Sequence, residues 1–244
     1  MYYGFGVDTN DELLKKIPRA CAKRNLSKPP PNETEISWSL DKVLRYALQI
    51  DNLEASFDDL LRKTLFLLAM ASGARVSEIA ALTRDARHVH FNEAGEAILR
   101  PNKAFLAKNE RGDKRWKLWK IVPCPDEPAL CPVQALRDYM DNTSSFTSGP
   151  LFRREGGGGR LLIKGVRDKI LYFIKKGDPE GIPKAHDVRK VSSSLNYFQY
   201  MDFEDLCEYT GWKSLKVFFK HYAKSQEEVT LPVVAAGKVI FPNS

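Results

Sequence analysis

Two arginines, a histidine, an indole and a phenol set the chemistry this sequence can offer. Arg75 lies in Gly73-Ala-Arg-Val-Ser-Glu78, His186 and Arg189 in His-Asp-Val-Arg, Trp212 in Gly211-Trp-Lys-Ser214, and Tyr222 ten positions beyond the tryptophan. Phosphoryl transfer needs an in-line nucleophile, donors for charge building on the non-bridging oxygens, and a proton for the departing oxygen. Arg75 and Arg189 provide planar two-pronged donors for those oxygens, which suits the task better than a lysine point charge. His186 and Arg189 are three residues apart, so on a helix they share a face and converge on one phosphate. Together these groups are what breaking a phosphodiester without a metal requires.

Each group alone has a plainer reading. His-x-x-Arg also describes the outer face of an ordinary amphipathic helix, and a lone Arg75 is a surface or capping residue. Leu215, Phe218, Phe219 and Tyr222 recur at helical spacing, so the phenol could simply belong to a core stripe. Trp212 could be a packing residue. Order and spacing, not residue type, give the set its meaning.

The elements that must position these residues can be read from the pattern around them. Leu40, Val43, Leu44 and Leu48 mark a helix after Trp38, and Ser56 with Asp59 opens a second, nearly all apolar from Leu60 to Ala71, which Gly73 stops. A helix restarts at Glu78 and runs to Leu82, placing Arg75 at a helix–turn–helix corner. From His88 to Val122 the pattern turns strand-like, with Ala97-Ile-Leu-Arg and Trp116 to Val122 flanking the polar turn Asn109 to Asp113. This predicts a basic hairpin. Prolines 123, 125, 128 and 132 then lead into a helix over 133–140, and further helices are expected over 163–176, 186–198, 202–209 and 214–224. The fold class is mainly α with a small antiparallel β-sheet (α+β).

Residues 26–34 contain Pro29-Pro-Pro31 and read as a stiff, extended linker, so the expected organisation is a short segment 1–34, a main domain 35–228 and an apolar tail 229–244. The tail is expected either to fold back as an edge strand or to dock on a neighbouring protomer. Net charge is +7, and the excess is local: residues 100–176 carry seventeen Lys/Arg against eight Asp/Glu, whereas residues 1–60 carry eight against ten. A concentrated excess can track a phosphate backbone. Lys103, Arg111, Lys114, Arg115 and Lys117 of the hairpin, with Arg153, Arg154 and Lys164, are the expected DNA-facing residues.

Other classes find little support. Cys21, Cys124, Cys131 and Cys207 form no CxxC pair, so neither a zinc ribbon nor a disulfide framework is indicated, and a reducing compartment is expected. No compact Asp/Glu cluster points to a two-metal nuclease. The Gly156–Gly159 run lacks the Lys-Ser/Thr that follows in a phosphate-cradling nucleotide loop. There is no run of eighteen apolar residues and no basic-then-apolar leader, so an intracellular chain without a membrane span is expected.

The order of these motifs resembles that of tyrosine recombinases. In that family an arginine in Gly-x-Arg-x-x-Glu is followed by a lysine in a β-hairpin, then His-x-x-Arg, then Gly followed by His or Trp, and a nucleophilic tyrosine about ten residues later. Arg75, Lys108, His186, Arg189, Trp212 and Tyr222 match in order, with 23 positions from Arg189 to Trp212 and ten from Trp212 to Tyr222. The resemblance covers roughly residues 38–224. Trp38 to Leu44, Phe105-Leu-Ala-Lys108, Cys131-Pro-Val-Gln-Ala-Leu136, Ala185 to Lys190 and Gly211-Trp-Lys-Ser214 are similar in wording to recombinases of DIRS-like and Ngaro-like retroelements. Lys103, Lys114 and Lys117 lie in or near the same hairpin; the Phe-Leu-Ala-Lys context favours Lys108.

The resemblance implies the fold of the tyrosine recombinase catalytic domain and a defined chemistry. Tyr222 would attack the scissile phosphate, forming a 3′-phosphotyrosyl link and releasing a 5′-hydroxyl; a second strand's 5′-hydroxyl would reverse the step. A free phenol has a pKa of about 10, so it needs help from Arg75, Arg189 and His186. Lys108 would protonate the departing 5′ oxygen, and the Trp212 indole would donate to a non-bridging oxygen. No cofactor is implied, because the bond energy stays in the phosphotyrosine. The implied partners are double-stranded DNA and further copies of the chain, up to a tetramer, and the implied setting is integration of a mobile element, in the nucleus if the host is eukaryotic. Residues 1–34 are shorter than the amino-terminal helical domain that completes the DNA clamp in these enzymes, so a catalytic fragment or truncated copy is expected. Strand relaxation in the manner of a type IB topoisomerase, and a DNA-binding module that no longer cleaves, remain open on the same residues.

Overall fold

The computed structural model describes residues 36–102, 118–157, 159–184, 186–199, 202–210 and 229–241. The linker 26–34, hairpin residues Lys103, Lys108, Arg111, Lys114, Arg115 and Lys117, and the segment holding Trp212, Tyr222 and the helix expected over 214–224 lie outside the described residues. Seven α-helices are described: α1 (Leu40–Leu48), α2 (Phe57–Ser72), α3 (Val76–Ala80), α4 (Pro132–Asn142), α5 (Ile163–Gly177), α6 (Asp187–Gln199) and α7 (Phe203–Thr210). The strands are β1 (Val89–Phe91), β2 (Ala97–Leu99), β3 (Trp119–Ile121), β4 (Val233–Ala235) and β5 (Lys238–Ile240).

The helix predicted between Ser56 and Gly73 is the axis of the core. Ser56 Oγ accepts the Asp59 N–H at 3.1 Å, and Gly73 ends the helix in the left-handed region at φ 54°, where its N–H donates to Ala69 O at 3.0 Å. Between them Leu60, Leu61, Leu65, Phe66, Leu67, Leu68 and Met70 are buried, and α2 packs against α4, α5, α6 and β4. Of the buried residues on α2, one carries an ionisable side chain. Lys63 is fully enclosed, donates to Ile50 O at 2.6 Å, and burial lowers its pKa to about 8.

On α1 the stripe of Leu40, Val43 and Leu44 is buried as its spacing demands, with Ala47 completing it and Leu48 only partly covered. Asp178, just past α5, accepts the Ser39 N–H at 2.8 Å and Lys42 Nζ at 3.3 Å, tying the start of α1 to the end of α5. The three-stranded sheet has order β1-β2-β3, all antiparallel, with Leu99 opposite Trp119 and Ala97 opposite Ile121. Those four side chains face the core, while Lys120 between them points out, as period-two alternation requires.

Two expectations need correcting. The helix after Gly73 starts at Val76 and ends at Ala80, not over 78–82, because the Glu78 carboxylate reaches back to accept the Arg75 N–H at 2.7 Å and closes the first turn earlier. The segment 229–241 is not one edge strand. It is the β4–β5 hairpin, turning through Ala236 and Gly237 with φ of 40° and 76°, and Val233, Val234, Ala235 and Ala236 are buried. In the single chain the hairpin lies on its own α2 and α6. Thr230 anchors the approach, donating from N to Asp41 Oδ1 at 3.0 Å and accepting from Arg45 at 2.8 Å. Among the described residues no helix is long and apolar enough to cross a membrane.

Candidate active site

Three segments that are distant in sequence meet at one surface pocket. The end of α2 and the turn after it supply Ala69, Ala74, Arg75 and Val76; α5 supplies Arg167, Ile170 and Leu171; the start of α6 supplies His186, Val188 and Arg189. Arg75, His186 and Arg189, singled out by residue type and by the motif order the resemblance implies, thus share one pocket across 115 sequence positions.

The Arg75 turn is held by its own backbone and by α6. Glu78, fully buried, accepts both the Arg75 N–H and its Nη1, the latter at 3.0 Å. That ion pair orients a half-buried guanidinium along the pocket wall. Ala74 N–H donates to Ser72 Oγ at 3.2 Å, and Ser72 Oγ donates to Leu68 O at 2.6 Å, so the turn between the two helices is bonded at each step.

Arg189 plays a second part that its sequence context does not announce. It is buried, at 4% exposure; Nη1 donates to Gly73 O and Nη2 to Thr210 O at 2.7 Å. One planar fork therefore joins the turn before Arg75 to the end of α7, where the chain runs on toward Trp212. Gly73 suits this junction: a Cβ there would approach Thr210 Cγ2 to 3.3 Å, and its φ is one that side-chain-bearing residues rarely adopt.

His186 sits at the mouth of α6, its carbonyl accepting the Lys190 N–H at 3.1 Å. Its side chain reaches solvent, yet its imidazole pKa is lowered, first by the protein packed around its base and then by the positive charges of Arg189, Lys190 and Arg75; Asp187 pulls the other way. The neutral ring is thereby favoured at neutral pH, leaving one ring nitrogen as donor and one as acceptor. The expected result is a His186 NMR titration midpoint below 6.5. Because the folded state holds the proton less tightly than the unfolded chain, the protein should lose stability as pH falls through that range and gain nothing further above it. His186→Gln should flatten that part of the stability–pH profile; an unchanged slope would remove His186 as its source.

The other expected DNA-facing residues divide. Arg154 and Lys164 are exposed. Arg153 is half-buried, donates from Nη2 to Ser148 O at 2.9 Å and lies over the Phe146 ring at 4.3 Å, so it holds its own loop together. Arg167 escaped the motif reading although it lines the pocket beside Arg75 and His186. Its signal was its place on α5, one turn before the buried Ile170 and inside the basic stretch.

No protein-family model matches the chain, and no curated protein matches it in sequence. Solved structures do match in shape. The crystal structure of XerA recombinase superposes with a TM-score of 0.58 at 16% identity, over 89% of this chain and 73% of that one. XerH site-specific recombinase bound to its difH substrate in a pre-cleavage complex gives 0.56 at 15%, over 87% and 63% of the two chains. The XerH post-cleavage complex with palindromic difH gives 0.56 at 16%, over 78% and 51%. This chain thus spans about half to two thirds of the XerH chains it resembles. The architecture, mainly helical with small antiparallel sheets, is the fold of the tyrosine recombinase catalytic domain.

Proposed function

We propose that this protein cleaves and rejoins DNA through a 3′-phosphotyrosyl intermediate. The observation that carries this reading is the meeting of Arg75, His186 and Arg189 at one pocket within a recombinase fold, at the positions the motif order assigns. In the proposed step the Tyr222 oxygen bonds to the scissile phosphorus and the bond to the 5′ oxygen breaks. The phenol's proton passes to the neutral His186 ring, and Lys108 gives a proton to the departing oxygen. Arg75 and Arg189, with the Trp212 N–H, take the charge on the non-bridging oxygens. Attack by another strand's 5′-hydroxyl returns each group to its starting state.

The proposed substrate is duplex DNA, engaged by the basic hairpin and by the surface of Arg154, Lys164 and Arg167, with a homo-oligomer of up to four copies assembled on it. A mobile-element role related to DIRS-like and Ngaro-like recombinases, with a nuclear site of action in a eukaryotic host, is supported by the motif wording around Trp38, Lys108, Cys131 and Trp212. One observation favours the second reading, a DNA-binding module without cleavage: the Arg189 guanidinium is already turned onto two backbone carbonyls. Adduct formation on DNA separates the two.

Backbone binding of this kind releases counterions. Affinity for random duplex is expected to fall about tenfold or more between about 50 and 200 mM salt, and Arg154→Glu with Lys164→Glu should weaken it further while leaving folding unchanged. Arg153→Glu makes a poorer test, because it also breaks the Ser148 contact. Titrations by fluorescence anisotropy check this; a dissociation constant indifferent to salt, or to both reversals, would place the DNA elsewhere.

A further inference from the structure

Tyr209, near the end of α7, belongs to none of the motifs. Its hydroxyl donates to Ala71 O at 3.1 Å and lies 3.3 Å from Lys120 O, so one proton is shared between two carbonyls. Ala71 is in the last turn of α2, four residues before Arg75. Lys120 is the centre of β3, the strand that returns from the hairpin expected to carry the general acid. The phenol is thus a hydrogen-bonded link between the two elements that lead to Arg75 and Lys108.

The surroundings hold that link in place. Gly237 at the tip of the β4–β5 hairpin donates its N–H to Ala71 O at 2.6 Å, and a Cβ there would fall 2.5 Å from both Tyr209 Oη and Lys120 O. Nothing larger than glycine fits. The carbonyls at a helix end have no partner within the helix, and those of α2 are taken up from outside: Met70 O by Ser192 Oγ at 2.6 Å, Ala71 O by Tyr209 and Gly237, and Gly73 O by Arg189. Tyr209 alone among these donors also reaches the sheet. Burial pushes its phenol pKa well above the ordinary value, so it stays protonated and able to donate at any working pH.

We propose that Tyr209 is a positioning residue whose hydroxyl pins the end of α2 to β3 and so fixes the Arg75 turn relative to the hairpin. Its catalytic consequence rests on the cleavage reading above; the link itself does not. Tyr209→Phe keeps the ring packed and removes only the donor. In this variant the amides of Gly73, Ala74 and Arg75 should exchange with solvent about fivefold to tenfold faster, while those of Leu65 and Phe66 in mid-α2 stay as in the parent. Single-turnover cleavage at saturating DNA should fall by a similar factor with the DNA dissociation constant unchanged, a split that simple loss of stability does not produce. Unchanged exchange at residues 73–75 overturns the proposal whether or not the protein cleaves DNA. So does a parent cleavage rate in the variant. If the parent protein forms no adduct with DNA, the cleavage reading fails by itself, and the exchange data still decide whether Tyr209 holds the turn.

Discussion

Tyr222→Phe is expected to abolish covalent attachment to DNA and leave DNA affinity within about twofold of the parent. The substitution removes one oxygen from a residue whose sequence neighbours Leu215, Phe218 and Phe219 recur at helical spacing, so the aromatic ring is expected to keep its packing. The phosphate contacts proposed for Arg75 and the basic surface do not involve that oxygen, which is why binding should persist. Without a nucleophile there is no phosphotyrosine, and residual transfer should fall to background rather than by a modest factor. Gel analysis of the variant with a nicked duplex reads both quantities in one experiment. A Phe variant that still forms the adduct would show that another residue attacks.

Arg189→Lys is expected to fail in two ways at once. A buried guanidinium now bridges Gly73 O and Thr210 O from two nitrogens held apart in one plane, a spacing that the single nitrogen of an ammonium does not reproduce. Leaving one of them without its charged donor costs about 1.5–3 kcal/mol, which for a chain of this size lowers the melting temperature by about 5–10 °C. Cleavage should also drop by about a hundredfold or more, the usual cost of losing one preorganised donor to the transition state. Arg75→Lys should give the same loss of cleavage with little change in melting, because Arg75 is half-buried and contacts only Glu78 among the hydrogen bonds described for its side chain. Calorimetry beside single-turnover kinetics separates the two arginines. Equal melting shifts would mean that Arg189 has no structural role beyond that of Arg75.

The contrast between these arginines marks where sequence reading stopped. Local signals were legible: Ser56 and Gly73 bound α2 because a capping hydroxyl and a left-handed glycine act on adjacent residues, and the stripe of Leu40, Val43 and Leu44 had to face a core. The chemical set was legible too, since order and separation survive in a linear string. Contacts across the chain were not. In the sequence both arginines read as phosphate donors, whereas Arg189 bonds to carbonyls 116 and 21 residues away. The start of α3 is hard to place from the sequence because the bond that closes its first turn comes from the Glu78 carboxylate, three positions beyond Arg75. Lys63 hid in an apolar run because its partner, Ile50 O, is a backbone atom with no sequence signature. The tail's path was open in the sequence because an apolar strand demands cover without saying what covers it, and in the folded chain the cover is α2 and α6.

The central claim is that Tyr222 becomes joined to DNA at a pocket formed by Arg75, His186 and Arg189. Its most direct test traps the protein on a suicide duplex, nicked so that the 5′-hydroxyl diffuses away after cleavage, and identifies the DNA-linked peptide by mass spectrometry. The account predicts a single adduct on the peptide containing Tyr222, through a 3′ phosphate, formed without added nucleotide. An adduct on any other residue, or none under conditions where the protein binds the duplex, would contradict it.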